Sequence, residues 1–340
     1  MPHEASRKNG SSCQAAGRAD LREFEYVLSP DATVDEQINF LDKLNGLSIS
    51  GAELATMATL IRSRCVRVND VPENTMDLCG TGGDRSGTFN VSTIASFVVA
   101  GAGIPVAKHG NRAVSSKCGS ADCLEQLGIS TSLQPNEAAR MIREVGLAFM
   151  FAPLFHPALA RVSAARKALS ARGEKSVFNI LGPLVNPAFV TRQVVGVFRE
   201  DLIAPVAEAL KLLGVQRAMV FHGQGLDEVT LTGETQYGRL RDGRISTGRL
   251  TPEELELRRC SLDEISGGTS TENARLCRGI LEGRVKGARR NMVVLNAAVA
   301  ISVGSMKQVE LQGCVDLAAE SIDSGRALNK LTEVARSSQP

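Results

Sequence analysis

The chain has 340 residues, 43% of them apolar, which is enough Val, Leu, Ile and Ala for a large core in one or two globular domains. Its 39 basic and 37 acidic side chains leave a formal charge of +2, too small for the bulk field that draws nucleic acid or a membrane surface, so neither is expected as a partner. Eight cysteines without a C-x-x-C, no apolar leader and no run approaching the ~20 apolar residues of a membrane span predict reduced thiols in a soluble, cytoplasmic protein.

Residues 1–20 mix Ser, Gly, Lys and Arg without period and read as a flexible tail. From Asp35 to Val68 apolar residues recur at three- and four-residue steps (Ile38, Leu41, Leu44; then Leu54, Met57, Leu60, Ile61). The intervening SISGAE supplies a turn and a helix start. After Pro72 the short run TMDLC enters a glycine turn, and STIASFVVAGAG follows as an apolar helix. Strand, turn and helix recur through IPVAKH, AMVFHG and MVVLNAA, and VTLTG after residue 228 also reads as a strand. The alternation predicts an α/β fold with a largely parallel sheet, whose ligands sit beyond the carboxyl ends of the strands.

In CGTGGDRSGTFNVST, Gly80, Gly82 and Gly83 let the backbone approach a ligand and turn amide N–H groups towards it. Asn90, Ser92 and Thr93 stand at the start of the next helix, where free N–H groups favour an anion. Glycine spacing alone equally admits a tight turn with an N-cap. The Walker pattern is absent, and Arg85 occupies the third glycine position of a Rossmann fingerprint. The next strand runs into Lys108, His109, Asn111, Arg112, Ser115, Ser116, Lys117 and Ser120, a density of donors suited to anions but also to a solvated loop. Asp227 and Glu228 adjoin; near a phosphate, such carboxylates suit Mg²⁺, which fills its octahedron with water and phosphate oxygens. His156 and Arg166 lie ten residues apart beside a helix, and Arg166 has the geometry to clamp a carboxylate.

Five motifs, GTGGD (80–84), NVST (90–93), KHGNRAVSSKCGSAD (108–122), FNILGPLVNP (178–187) and DEVTLTG (227–233), together resemble the anthranilate phosphoribosyltransferase family, in family order over about Ala32 to Val334. The resemblance implies a nucleoside phosphorylase/phosphoribosyltransferase-like fold. A small helical domain (21–72 and 156–192) would pack on a large α/β domain (73–155 and 193–340), and two chains would form a homodimer. It implies transfer of the phosphoribosyl group of phosphoribosyl pyrophosphate (PRPP) to the amine of anthranilate, in tryptophan biosynthesis. PRPP would be held by Gly80, Gly82, Gly83, Asp84, Thr88, Asn90, Val91, Ser92 and Thr93. Lys108, Asn111, Arg112, Ala113, Val114, Ser115, Ser116 and Ser120 would close over it. Ser92, Asp227 and Glu228 would hold two Mg²⁺ ions, and Gly80, His109, Asn111, His156 and Arg166 would bind anthranilate.

Three departures from the family pattern stand out. The stretch RKALSARGEKSVF is about three residues longer than the usual turn, with Lys175 and Ser176 replacing Arg-Thr; Thr269 stands where an acid is common; and the first helix looks abbreviated before Asp35. A pyrimidine nucleoside phosphorylase would share the fold, but its Ser-Gly-Arg loop is missing. A non-catalytic nucleic-acid-binding relative would use the basic cluster Arg284, Lys286, Arg289 and Arg290, leaving the phosphate and metal motifs without a role.

Overall fold

The structure, a computed structural model, describes residues 20–45, 48–113 and 117–339; the tail read from the sequence lies outside these apart from Asp20. The first segment forms α1 (Leu21–Val27), α2 (Val34–Asn45) and α3 (Gly51–Ser63). Asp20 caps α1 through the N–H groups of Arg22 and Glu23, so a helix does precede Asp35. Ser50 and Glu53 close a capping box on α3, as SISGAE foretells.

The chain then alternates strand and helix: β1 (Met76–Gly80), α4 (Val91–Gly101), β2 (Val106–Gly110), α5 (Ser120–Gln126), α6 (Pro135–Glu144) and β3 (Leu147–Phe151). Four helices follow, α7 (Ala152–Phe155), α8 (Pro157–Arg161), α9 (Ser163–Ala171) and α10 (Val177–Leu184). The chain returns to the sheet with β4 (Arg192–Gly196), α11 (Ile203–Leu212), β5 (Arg217–His222), β6 (Thr235–Arg241) and β7 (Arg244–Leu250). It ends in α12 (Ser270–Leu281), α13 (Ala288–Gly304), α14 (Leu311–Asp323) and α15 (Arg326–Ser337).

The strand order is β3-β2-β1-β4-β5-β6-β7, parallel through β5 and antiparallel beyond. The chain builds outward from β1 to β3, then comes back to lay β4 on the other side of β1. That reversal opens a crevice between the carboxyl ends of β1 and β4, the place where doubly wound sheets bind ligands.

Alternate residues of β4 and β5 serve two apolar layers, as the pleat requires. Val194, Met219 and Phe221 join the layer made with α4, α13, α14 and α15. Val195, Ala218 and Val220 join the layer made with α11, α1–α3 and α9–α10. In the second layer Phe24 of α1 stacks on Phe178 of α10 at 5.9 Å between centroids, and each ring buried in this way contributes roughly 1.5–3 kcal/mol. The early and middle helical stretches therefore share one core.

Two expected strands are not strands. MVVLNAA lies inside α13, whose Met292–Ile301 run is buried all round; a short apolar run looks alike in a central strand and an enclosed helix. VTLTG is irregular, because side chains rather than a neighbouring strand satisfy its backbone. Val229 N–H donates to Asn296 Oδ1 (3.0 Å), Thr230 N–H to Thr235 Oγ1 (3.0 Å) and Thr232 N–H to Thr230 Oγ1 (3.0 Å). The β6–β7 hairpin is an addition to the elements expected above; its sequence signal is Asp242-Gly243, both at positive φ (52° and 72°) as a two-residue hairpin turn demands.

Candidate active site

The crevice between β1 and β4 is built on a pair of glycines. Gly80 and Gly196, the last residues of these strands, are register partners, and Asp227 lies across both. A Cβ on Gly80 would stand 2.3 Å from Asp227 Oδ2, and one on Gly196 only 1.7 Å from the Asp227 carbonyl oxygen. The turn after β1 takes Gly82 and Gly83 to φ +64° and +77°, and Gly82 N–H donates to Asp227 Oδ2 at 2.7 Å. Asp84 Oδ2 accepts from Ser86 Oγ at 2.8 Å and from Asp227 N–H at 3.4 Å.

Asp227 and Glu228 thus lie part-buried, one after the other in the chain. Burial first, and the charge of Asp84 second, push the Asp227 carboxyl up to about 8. Burial and Asp227 raise Glu228 well above the carboxylate range, with Lys108 and the Ser92 backbone pulling the other way. A cation would relieve both. Among the described residues no three His, Cys, Asp or Glu side chains form a ready-made metal cluster. Mg²⁺ does not need one, because one or two carboxylates suffice when phosphate and water complete the shell, so this donor set fits it.

Lys108, buried on β2, donates to Leu78 O (2.6 Å) and Ser92 Oγ (3.2 Å). Burial lowers its proton affinity, opposed by Asp77. Asp77 is itself fully buried and accepts from His109 N–H (3.2 Å) and Asn186 Nδ2 (2.8 Å). Asn90 precedes α4 without capping it; its amide donates to Cys118 O (3.1 Å) and accepts from Asn273 Nδ2 (2.9 Å). The first-turn N–H groups of α4, from Val91 to Thr93, therefore have no side-chain cap.

The loop after β2 folds back on α5. Asn111 O accepts from Ser120 Oγ (3.1 Å) and Ala121 N–H (3.2 Å), and Asp122 Oδ2 accepts from Ala113 N–H (3.0 Å) and Gly119 N–H (2.9 Å). The Arg112 guanidinium is held by Asp122 (3.2 Å) and Glu125 (2.5 and 2.8 Å) rather than by Asp84 or Asp227. Thr88 meets Ser86 Oγ and bridges Ser266. Val114, Ser115 and Ser116 lie outside the described residues.

On the acceptor side His109 and His156 are buried edge to face, 5.1 Å between centroids. Among the described residues His109 Nε2 and both ring nitrogens of His156 have no partner in hydrogen-bond geometry, although the Gly182 and Val185 backbones favour their charged forms slightly. Burial dominates, taking His156 down to about 4 and His109 well below its usual value, so both rings are neutral at pH 7. Arg166 packs over the Phe178 ring (5.9 Å) and shares a small cavity with Gly83, Lys175 and Asn179.

Several supporting residues had no assigned role in the sequence. Asn179 of α10 and Asn186 just beyond its end, both in FNILGPLVNP, brace the site: Asn179 Nδ2 reaches Thr81 O (3.5 Å), and Asn186 ties Asp77 to Ala107 O (2.9 Å). Gly196 and Asn273 carried no motif that spacing could reveal. Thr269 proves to be the N-cap of α12, in a capping box with Glu272. The Arg284–Arg290 cluster is divided among local partners, with Arg284 on Glu282, Arg290 on Asp323 (2.7 Å) and Arg289 on Ser266 O (3.2 Å).

Residues 72–328 match the family model described as glycosyl transferase family, a/b domain, which defines the class as an α/β enzyme that transfers glycosyl groups. An anthranilate phosphoribosyltransferase of Desulfitobacterium hafniense is 47% identical over 298 residues, covering 86% of this chain and 87% of that one. The crystal structure of the Thermus thermophilus enzyme of the same name superposes with a TM-score of 0.87 at 36% identity, covering 94% of this chain and 95% of that one. The Saccharomyces cerevisiae enzyme, solved in complex with PRPP and Mg, gives 0.82 at 27% identity over 94% and 91%. The chain belongs to the anthranilate phosphoribosyltransferase family.

Proposed function

We propose that the β1–β4 crevice is where this enzyme transfers the phosphoribosyl group of PRPP to the amine of anthranilate, the reaction of its family in tryptophan biosynthesis. The observation that carries the placement is Asp227, seated on the Gly80–Gly196 pair and bonded to Gly82 N–H, beside an uncapped helix start. In that arrangement amides of Gly83 and the first turn of α4 face the donor's phosphates, and Lys108 adds a buried positive charge.

Asp227, Glu228 and Ser92 would hold Mg²⁺, two ions in our reading, supported by the raised acids and by the yeast relative's complex. When bound, Mg²⁺ neutralises charge developing on the departing pyrophosphate. The C1–O bond to pyrophosphate breaks with oxocarbenium character, the aromatic amine attacks C1 from the opposite face, and the nitrogen then loses a proton to solvent. An aromatic amine is already neutral at pH 7, so positioning supplies most of the rate and no covalent enzyme intermediate is required.

Arg166 would take the anthranilate carboxylate, and neutral His109 and His156, with unsatisfied ring nitrogens, would orient the acceptor. The rest of the proposed PRPP set (Asp84, Thr88, Asn90, Asn111–Ser116 and Ser120) would enclose the donor. We also propose the division into a helical unit (21–72 and 156–192) and an α/β unit, supported by the shared helical core. A homodimer through the helical unit is supported by exposed Leu21, Tyr26 and Val34. No helix among the described residues is long and apolar enough to cross a membrane, and a cytoplasmic location is our reading. Mixing protein, PRPP, Mg²⁺ and anthranilate should quench anthranilate fluorescence with stoichiometric pyrophosphate release. Pyrophosphate release only with some other aromatic amine would overturn the acceptor assignment.

A further inference from the structure

Lys175 belongs to the lengthened turn between α9 and α10, yet it reaches the glycine turn on the far side of the cleft. Its ammonium lies 3.6 Å from the centroid of the Phe198 ring, just beyond β4, and its Cε would stand 3.2 Å from a Cβ on Gly83. Together with Gly83, Asp84, Arg85, Phe198 and Arg199 it lines a cleft of about 480 Å³. Two of the three cations there are committed, Arg85 to Gly173 O (2.5 Å) and Arg199 to Asp201 (2.8 Å). Among the described residues Lys175 has no hydrogen-bond or carboxylate partner; the ring face alone holds it, and Asp84 and Asp227 are the acids whose charge acts on it. Once a cation neutralises those acids, all three ammonium donors are free for an anion on the amide-presenting face of Gly83.

We propose that Lys175 is a donor-binding residue: contributed from the helical side of the cleft, its ammonium meets the pyrophosphate end of PRPP beside Gly83. The inference rests on the PRPP reading above, and its test separates the two. Magnesium pyrophosphate, with no acceptor present, is titrated calorimetrically into wild-type protein and the K175M and K175R variants, whose melting temperatures are checked in parallel. Loss of a charge-assisted contact should weaken binding about tenfold or more in K175M and flatten its salt dependence, and K175R should recover most of the affinity. In turnover the PRPP constant should rise in K175M while the anthranilate constant stays put. Equal affinity in wild type and K175M, or K175R as weak as K175M at unchanged melting temperature, overturns the role of Lys175. Absence of magnesium pyrophosphate binding in the wild type would instead remove the donor site itself.

Discussion

Replacing Gly196 by alanine isolates the feature on which the site is built. Gly196 is a regular strand residue and not at positive φ, so alanine costs nothing in backbone conformation; all the effect comes from the neighbour. The added Cβ would start 1.7 Å from the Asp227 carbonyl oxygen and 2.4 Å from its carbon. Real contacts do not fall below 3.0 Å, so the carbonyl must retreat by about 1.3 Å, and because it is backbone no rotamer change relieves it. Overpacking of this kind costs about 1–3 kcal/mol of stability. The larger loss is in rate, since displacing a group at the reacting centre by ~1 Å lowers turnover roughly 100-fold. Gly80→Ala should be milder, because its Cβ meets chiefly the side-chain end of Asp227, Oδ2 at 2.3 Å and Cγ at 3.0 Å with the backbone oxygen at 3.4 Å, and the carboxylate can rotate away from Gly82 N–H. Initial rates across a Mg²⁺ titration at saturating PRPP, with thermal unfolding alongside, measure both effects. A folded Gly196→Ala protein with wild-type rate and Mg²⁺ half-saturation would refute the idea that the glycine pair seats Asp227.

The raised Asp227 makes cation binding proton-linked. Its folded value lies above the usual 3.8, so this carboxyl stabilises the metal-free protein fully below pH 3.8 and that contribution is lost as pH climbs towards about 8. Mg²⁺ affinity should rise over the same interval with proton release, seen as a dependence of calorimetric heat on buffer ionisation enthalpy; buffer-independent heats at pH 7 would contradict it. For the same reason Asp227→Asn with Glu228→Gln should raise the melting temperature of the metal-free protein at pH 8 while turnover collapses, and a lower melting temperature would count against the buried-acid account. Asn273→Ala removes the bond from α12 to Asn90 Oδ1, which keeps Cys118 Sγ (3.2 Å), and takes away the acceptor of Gly268 N–H (2.8 Å); it should cost about 1 kcal/mol and raise the PRPP constant, as chemical denaturation and steady-state rates report.

Legibility followed the range of the forces involved. Helices α2, α3 and α4 and strands β1, β2 and β5 were readable because their apolar period and turn residues are local. The error at MVVLNAA shows the limit: whether Val293 and Val294 belong to a strand or an enclosed helix depends on what surrounds them, and α4 and α14 do the surrounding. VTLTG failed for the complementary reason, since Asn296 and Thr235, distant or unremarkable in sequence, take the hydrogen bonds a sheet would have supplied.

The site divides along the same line. Gly82, Gly83 and the Asp227-Glu228 pair announce themselves because phosphate and hard cations demand unusual residues in short runs, and the fold does set Gly82 N–H against Asp227. Gly196 does not, being one glycine at the end of an ordinary apolar strand; its requirement comes from a residue 31 positions later lying over it, which only strand register reveals. Lys175 was visible only as an oddity in a long turn. Its meaning lies in the 3.6 Å to Phe198 across the cleft, and a cation anchored by a ring rather than by an acid is free to change partner when an anion arrives.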